Sequence, residues 1–243
     1  MSGLAISWPT KVSSVATRLA ERGLSAGVMS ISCFASRLSH STDVQWTSNA
    51  SNLTKEDIVR KIVAGLFLSL DGVYEAPDQW HFPYFNDEMG QAVQSQIDAT
   101  DTMLLGRVTY QEFASFWPQQ SNDEMPIAAH MNNTPKVVVS ETLDSVDEWQ
   151  NSTLIKGNVV EELTRLKQQP GMNIGITGSG TLVASLLRAG LLDELNLLVH
   201  PIVVGKGKRL FASGEDQPRG LRLADAQTFS TGVLNLTYTP AET

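Results

Sequence analysis

Two short stretches concentrate the residues best suited to bind an anion. Gly106-Arg107-Val108-Thr109 and Thr177-Gly178-Ser179-Gly180-Thr181 each join a short apolar run to an amphipathic segment. Glycine lets a backbone approach a ligand closely, and the unpaired N–H groups of a helix start favour phosphate oxygens. Arg107 adds a planar cation whose fork geometry matches phosphate. Neither stretch is the dinucleotide fingerprint Gly-x-Gly-x-x-Gly, because Val183 stands where its last glycine would be, and no P-loop Gly-Lys-Ser/Thr is present. Two such turns at successive sheet ends suit a ligand with two or more phosphates, such as a dinucleotide. Metal chemistry is not indicated. His40, His81, His130 and His200 are isolated from one another, with His81 read as a pocket-edge or surface residue, and Cys33 is the one cysteine.

The elements that position these turns alternate between strand and helix. Ile62 to Leu70 is a near-continuous apolar run that closes on the turn dipeptide Asp71-Gly72. Asn86 to Ala99 reads as a helix, capped by Asn86 or Asp87, with Met89, Val93 and Ile97 spaced four apart. Strands follow at Thr102–Leu105, Lys136–Ser140, Thr153–Ile155, Asn173–Thr177 and Glu194–Val204, and helices at Thr109–Trp117, Val159–Gln168 and Thr181–Ala189. His130 falls in a polar stretch read as loop. The tail from Leu221 to Thr239 reads as two hairpin-like runs around Ser230-Thr231-Gly232. Alternation of this kind predicts a mostly parallel, helix-covered sheet with an antiparallel edge, and ligands in such sheets bind beyond the carboxyl ends of the strands.

Composition bounds the function classes. The chain has 243 residues, 18 Lys+Arg against 26 Asp+Glu and a formal net charge of −8. An acidic chain without a dense basic run lacks the footprint of a phosphate-backbone binder, so no nucleic-acid partner is expected. No apolar stretch approaches the roughly 18–20 residues of a membrane span, so no membrane partner is expected either. Residues 1–42 differ from the rest, with ten serines, four basic residues and the single acid Glu21. Val12, Val15, Ala16 and Leu19 recur there at helical spacing, which matches a mitochondrial or other organelle transit peptide, a poorly ordered leader, or an upstream start with Met29 as the true first residue. Residues 1–58 are therefore set apart as leader and linker, and 59–243 as the domain. A cytoplasmic location is expected unless the leader is a transit peptide.

Residues of about 60 to 239 resemble the dihydrofolate reductase-like fold, and within it the riboflavin-biosynthesis reductase branch, the RibD C-terminal domain family. Ser69-Leu70-Asp71-Gly72 looks like that branch's Ser-Leu-Asp-Gly signature. Leu104-Leu105-Gly106-Arg107-Val108-Thr109-Tyr110 looks like the Gly-Arg-x-Thr-Tyr/Trp turn shared with dihydrofolate reductases. Gly178 to Leu182 followed by Leu186 to Leu195 is similar to the second nucleotide-binding turn and its helix. Pro201 to Gly205, then Gly207 and Leu210-Phe211, is similar to the strand that follows in the riboflavin branch.

The resemblance implies an α/β fold with a mostly parallel central sheet of about eight strands, an antiparallel C-terminal edge and helices on both faces. It implies an NADPH-dependent reductase of a small pyrimidine- or pterin-like molecule, similar to 5-amino-6-(5-phosphoribosylamino)uracil reductase or dihydrofolate reductase. It leaves a homodimer open. Carried over by position, Gly106, Arg107 and Thr109 would hold cofactor phosphates, Gly178, Ser179, Gly180 and Thr181 the pyrophosphate, and Ser140 would lie near the adenosine phosphate. Ser69, Asp71 and Gly72 would border nicotinamide and substrate. Trp80-His81-Phe82-Pro83 resembles the Trp-x-x-Pro at the mouth of the folate pocket, placing Trp80 and Tyr84 against the substrate. Asp71 carries the catalytic expectation, as a carboxylate able to pair with ring N–H groups; the alternative is that it only ends the first strand. Trp80, Phe82, Tyr84 and Phe85 could equally form an ordinary packed cluster.

Two departures bear on the chemistry. The substrate-protonating carboxylate of dihydrofolate reductases falls two residues after that proline, where this chain has Phe85, with Asp87 and Glu88 the nearest acids. The Gly-Gly of the second turn is here Gly178-Ser179. The deaminase half that accompanies the riboflavin reductase in bifunctional proteins is absent from this sequence, since its Pro-Cys-x-x-Cys cannot be built from one cysteine. A nucleotide-binding module without turnover is the competing class.

Overall fold

A computed structural model describes residues 59–121, 125, 127–211 and 218–241; the leader and linker expectations lie outside the described residues. Eight strands form one sheet: β1 (Ile62–Ser69), β2 (Thr100–Gly106), β3 (Lys136–Val139), β4 (Ser152–Ile155), β5 (Asn173–Thr177), β6 (Glu194–His200), β7 (Leu221–Thr228) and β8 (Leu234–Pro240). Their order is β4-β3-β2-β5-β1-β6-β8-β7. The first six are parallel to their neighbours, and β8 and β7 add antiparallel at one edge. Among the described residues no helix is long and apolar enough to cross a membrane.

Alternation along β1 divides the core. Ile62, Ala64, Leu66 and Leu68 pack on one face with Leu163 of α4 (Val159–Lys167) and Val183 and Leu186 of α5 (Gly180–Arg188). On the opposite face Phe67 packs with Met89 and Val93 of α1 (Asp87–Asp98) and with Leu198 of β6. Further along that face, Met103 and Leu105 of β2 meet Tyr110 of α2 (Arg107–Phe116), Met131 of α3 (Ala128–Asn133) and the buried Trp149. Helices thus cover both faces, as the strand–helix alternation predicts. Asn86 caps α1, its side chain accepting the Met89 N–H at 3.0 Å.

Three local expectations change. The strand predicted from Glu194 to Val204 stops at His200, because Pro201 has no N–H to continue the ladder and β1 turns away at Asp71-Gly72. His130 lies on α3 rather than in a loop. Helix α2 begins at Arg107, not Thr109, with Gly106 as its N-cap.

Candidate active site

The connection after β2 leads through α2 to β3 on one side, whereas the connection after β5 leads through α5 to β6 on the other. The sheet therefore has its switch point between two adjacent strands whose carboxyl ends carry the two glycine turns. A crevice opens at such a point because consecutive connections diverge from it.

The two turns are bonded to each other. Ser179 Oγ accepts the Gly106 N–H at 3.0 Å and donates to Thr109 Oγ1 at 2.9 Å, and the Ser179 N–H donates to the same Thr109 oxygen at 3.1 Å. Gly178 has φ +69° and Ser179 φ +54°, so the chain reverses through two left-handed residues before α5 starts. A Cβ on Gly178 would sit 3.3 Å from Thr109 Cγ2, a second reason for glycine there. The hydroxyls of Thr109 and Ser179, assigned from the sequence to the phosphates, serve here to hold one helix start against the other. Arg107 is exposed and, among the described residues, bonds only its own helix, at Gln111 Oε1 (3.0 Å), which leaves most of its donors available there.

Gly180 packs against a side chain: a Cβ there would come within 2.5 Å of the ring carbons of Tyr74. Tyr74, just beyond β1, lies over the start of α5, with its hydroxyl 3.5 Å from Thr181 Oγ1. Nothing in the spacing of the sequence marks Tyr74 as a neighbour of a turn more than a hundred residues away. Ser140, at the end of β3, accepts the N–H groups of Thr142 and Leu143 at 3.1 Å each and closes the turn that follows it.

At the end of β1, Ser69 is fully buried, accepts the Val73 N–H and donates to Asp71 Oδ1 at 2.7 Å. Gly72, with φ +83°, completes the turn. Asp71 receives four donors: the Ser69 hydroxyl, the Val204 N–H (3.0 Å), the Gly205 N–H (2.9 Å) and Arg209 Nη2 (3.2 Å). The Ser69 hydroxyl and then the Val204 and Gly205 amides hold its carboxyl well below the usual range. A carboxylate so engaged has no proton to give at neutral pH. Asp71 is thus an ionised acceptor and not a proton donor, and it braces the 204–209 loop against the end of β1.

The remaining substrate candidates converge on a pair of histidines. Trp80 is 7% exposed, donates its indole N–H to Glu75 O at 3.1 Å and meets His200 edge-on at 5.2 Å. Tyr84 meets the same imidazole at 5.8 Å. His81 is buried and not a surface residue; it stacks on Phe67 at 4.6 Å and lies 6.1 Å from both His200 and Phe85. His200 Nδ1 faces Leu198 O at 2.8 Å and so carries the proton, which leaves Nε2 as a lone pair. That Nε2 and His81 Nδ1 are both buried without a hydrogen-bond partner among the described residues. Burial, reinforced by His200, lowers the His81 pKa to about 4, and burial lowers His200 in the same direction. Both rings are neutral at pH 7.

The two acids nearest Phe85 differ in their surroundings. Glu88 accepts the Ser230 hydroxyl and N–H and the Asn86 amide, which lower its pKa and tie α1 to the β7–β8 turn. Asp87 is exposed in the first turn of α1. A polar hollow of about 500 Å³ exists elsewhere, between α1 and β6–β8, lined by Gln91, Gln96, Glu194, Asn196 and Thr237. It lies toward the amino ends of β1 and β6, away from both turns, and among the described residues no Lys, Arg or His lines it to meet a phosphate.

Comparison with known proteins agrees with this geometry. The RibD C-terminal domain family matches residues 60–235. The uncharacterized protein YyaP of Bacillus subtilis is 29% identical over 182 residues, spanning 74% of this chain and 94% of its own. A putative riboflavin biosynthesis protein from Shewanella superposes with TM-score 0.62 at 20% identity, covering 75% of this chain and 99% of that one. Dihydrofolate reductase from Enterococcus faecalis, solved with NADP(H), superposes with TM-score 0.52 at 16% identity over 75% of this chain and 97% of its own. With the family match spanning most of the chain, and the eight-stranded sheet with its paired glycine turns, this protein belongs to the RibD C-terminal domain family and has the dihydrofolate reductase-like fold.

Proposed function

We propose that this protein is an NADPH-dependent oxidoreductase that reduces a small pyrimidine- or pterin-like heterocycle. The observation that carries the reading is the pair of helix starts at adjacent strand ends, held together through Ser179, Gly106 and Thr109 beside the exposed Arg107. Free N–H groups from two helices plus a guanidinium suit a dinucleotide better than a single phosphate. The donor set fits the cofactor: the starts of α2 and α5 supply backbone N–H groups, Arg107 supplies the cation, and Thr181 lies at the opening of α5. When bound, the cofactor supplies a hydride. The chain's own part is to hold the phosphates, to place the substrate near the ends of β1 and β6, and to exclude water with the aromatic residues there.

The nicotinamide cofactor of the Enterococcus reductase and the family match support this reading. So does the closeness of the two halves of the site, since β5, which carries the second turn, is the immediate neighbour of β1. Titration of the full chain with NADPH, followed by cofactor fluorescence, tests the cradle. Loss of 340 nm absorbance with 5-amino-6-(5-phosphoribosylamino)uracil or dihydrofolate tests turnover. A binding module without turnover is the second reading, favoured by the engagement of Asp71 and by Phe85 in place of an acid. It predicts tight NADPH binding with no oxidation of it. The expected partner is a small-molecule substrate, and a homodimer remains a proposal to be measured by light scattering.

A further inference from the structure

Reduction of a C=N or C=O bond needs a proton as well as a hydride, and three acids near the ends of these strands are already engaged. Asp71 is held by four donors, Glu88 by Ser230 and Asn86, and Glu75 by the Lys208 N–H and ammonium. His81 differs. It lies between Phe67 of β1 and the Phe82–Phe85 turn, with Nδ1 buried and unpaired among the described residues. A buried polar atom without a partner costs stability, and such atoms persist where function uses them. The imidazole meets Phe85 edge-on at 6.1 Å, the position at which the resemblance to dihydrofolate reductases would place a carboxylate.

We propose that His81 is a catalytic residue of this site, contacting the heteroatom of the reducible bond and delivering its proton, with His200 as the positioning residue behind it. The inference rests on the reductase reading. As hydride from the reduced nicotinamide adds to the carbon, the π pair moves to nitrogen or oxygen, and that atom takes the proton of the His81 imidazolium. His81 ends neutral and is reprotonated from solvent. The titratable group shown against the ring is His200 from β6. None of the acids makes a hydrogen bond to the ring that would hold the imidazolium charged. The donor form is therefore a small fraction at neutral pH, and the rate rises as pH falls.

The test uses the full chain and the variant His81→Phe, which keeps the stack on Phe67 and removes both nitrogens, with 5-amino-6-(5-phosphoribosylamino)uracil as probe. The expectation is an unchanged or higher Tm, unchanged NADPH affinity, and at least tenfold weaker probe binding in the presence of NADP⁺. In the unmodified protein, kcat/KM with the probe should fall about tenfold per pH unit from pH 6 to 8, a slope that His81→Gln abolishes. A lower Tm with both affinities reduced would make His81 structural and overturn the proposal. Unaltered probe binding, turnover without the pH slope, or a bound probe that is not reduced would also overturn it. Failure of the unmodified protein to bind NADPH at all would instead remove the reductase reading on which it rests.

Discussion

Ser179→Ala tests the link between the two turns most directly. The substitution removes the oxygen that accepts from Gly106 N and donates to Thr109 Oγ1. Each neutral hydrogen bond contributes roughly 0.5–1.5 kcal/mol net, and an N–H left unpaired costs more where water cannot reach it. Gly106 and Ser179 are half-buried, so water makes up part of the loss, and a cost of about 1–2 kcal/mol follows. For a domain of this size that lowers Tm by roughly 2–8 °C. Thr109→Val removes the acceptor of both the Ser179 N–H and its hydroxyl, and should cost a similar amount. Because the two variants share one bond, their costs should not add: the double variant should be more stable than the sum of the single losses predicts, by about 0.5–1.5 kcal/mol. Urea denaturation followed by tryptophan fluorescence measures all three. Ser179→Gly should be milder than Ser179→Ala, since residue 179 sits at φ +54°. Strict additivity, or a Ser179→Ala protein with unaltered midpoint, would show that the turns are held by packing and not by this hydroxyl.

Arg107→Ala should weaken NADPH binding about 10- to 100-fold, the equivalent of one charge-assisted contact of roughly 1.5–3 kcal/mol; NADH affinity that suffers equally would place the guanidinium on the shared pyrophosphate, and no loss for either would reduce the turn to a helix cap. The His81 pKa of about 4 lies below its unfolded value of 6.5, so between these values the unfolded chain binds more protons, and this contribution to stability is whole above pH 6.5 and lost as pH falls through 4. Its full size is about 3 kcal/mol, His200 acts in the same direction, and His81→Phe should flatten the fall in Tm from pH 7 to 5. Gly180→Val should expel the Tyr74 ring and lower NADPH affinity by at least tenfold in a fluorescence titration; a fully stable variant with unchanged affinity would show that Tyr74 can swing aside at no cost to the cradle. Asp71→Asn should loosen the 204–209 loop, read as faster proteolysis there, and a cleavage pattern like that of the unmodified protein would refute the bracing role.

Local pattern was enough to read the helices, the apolar strands and the two glycine turns, because periodicity and turn chemistry act over a few residues. Strand–helix alternation likewise implied a mostly parallel sheet, and the motif order pointed to the family. What each polar side chain does was another matter. Asp71 stands beside a strand end in sequence, but its role is set by amides more than 130 residues away at Val204 and Gly205. Ser179 stands in a glycine turn in sequence, and only the fold shows that it ties Gly106 to Thr109. His81 and His200 are 119 residues apart and unremarkable alone, one beside a tryptophan and one on a strand; only the parallel pairing of β1 with β6 and the fold-back of the Trp80–Phe85 segment bury them together. Composition and spacing determine which elements form. The desolvation and hydrogen-bond partners that decide which groups are charged, engaged or free arise from contacts between distant strands, and those exist only in the folded sheet.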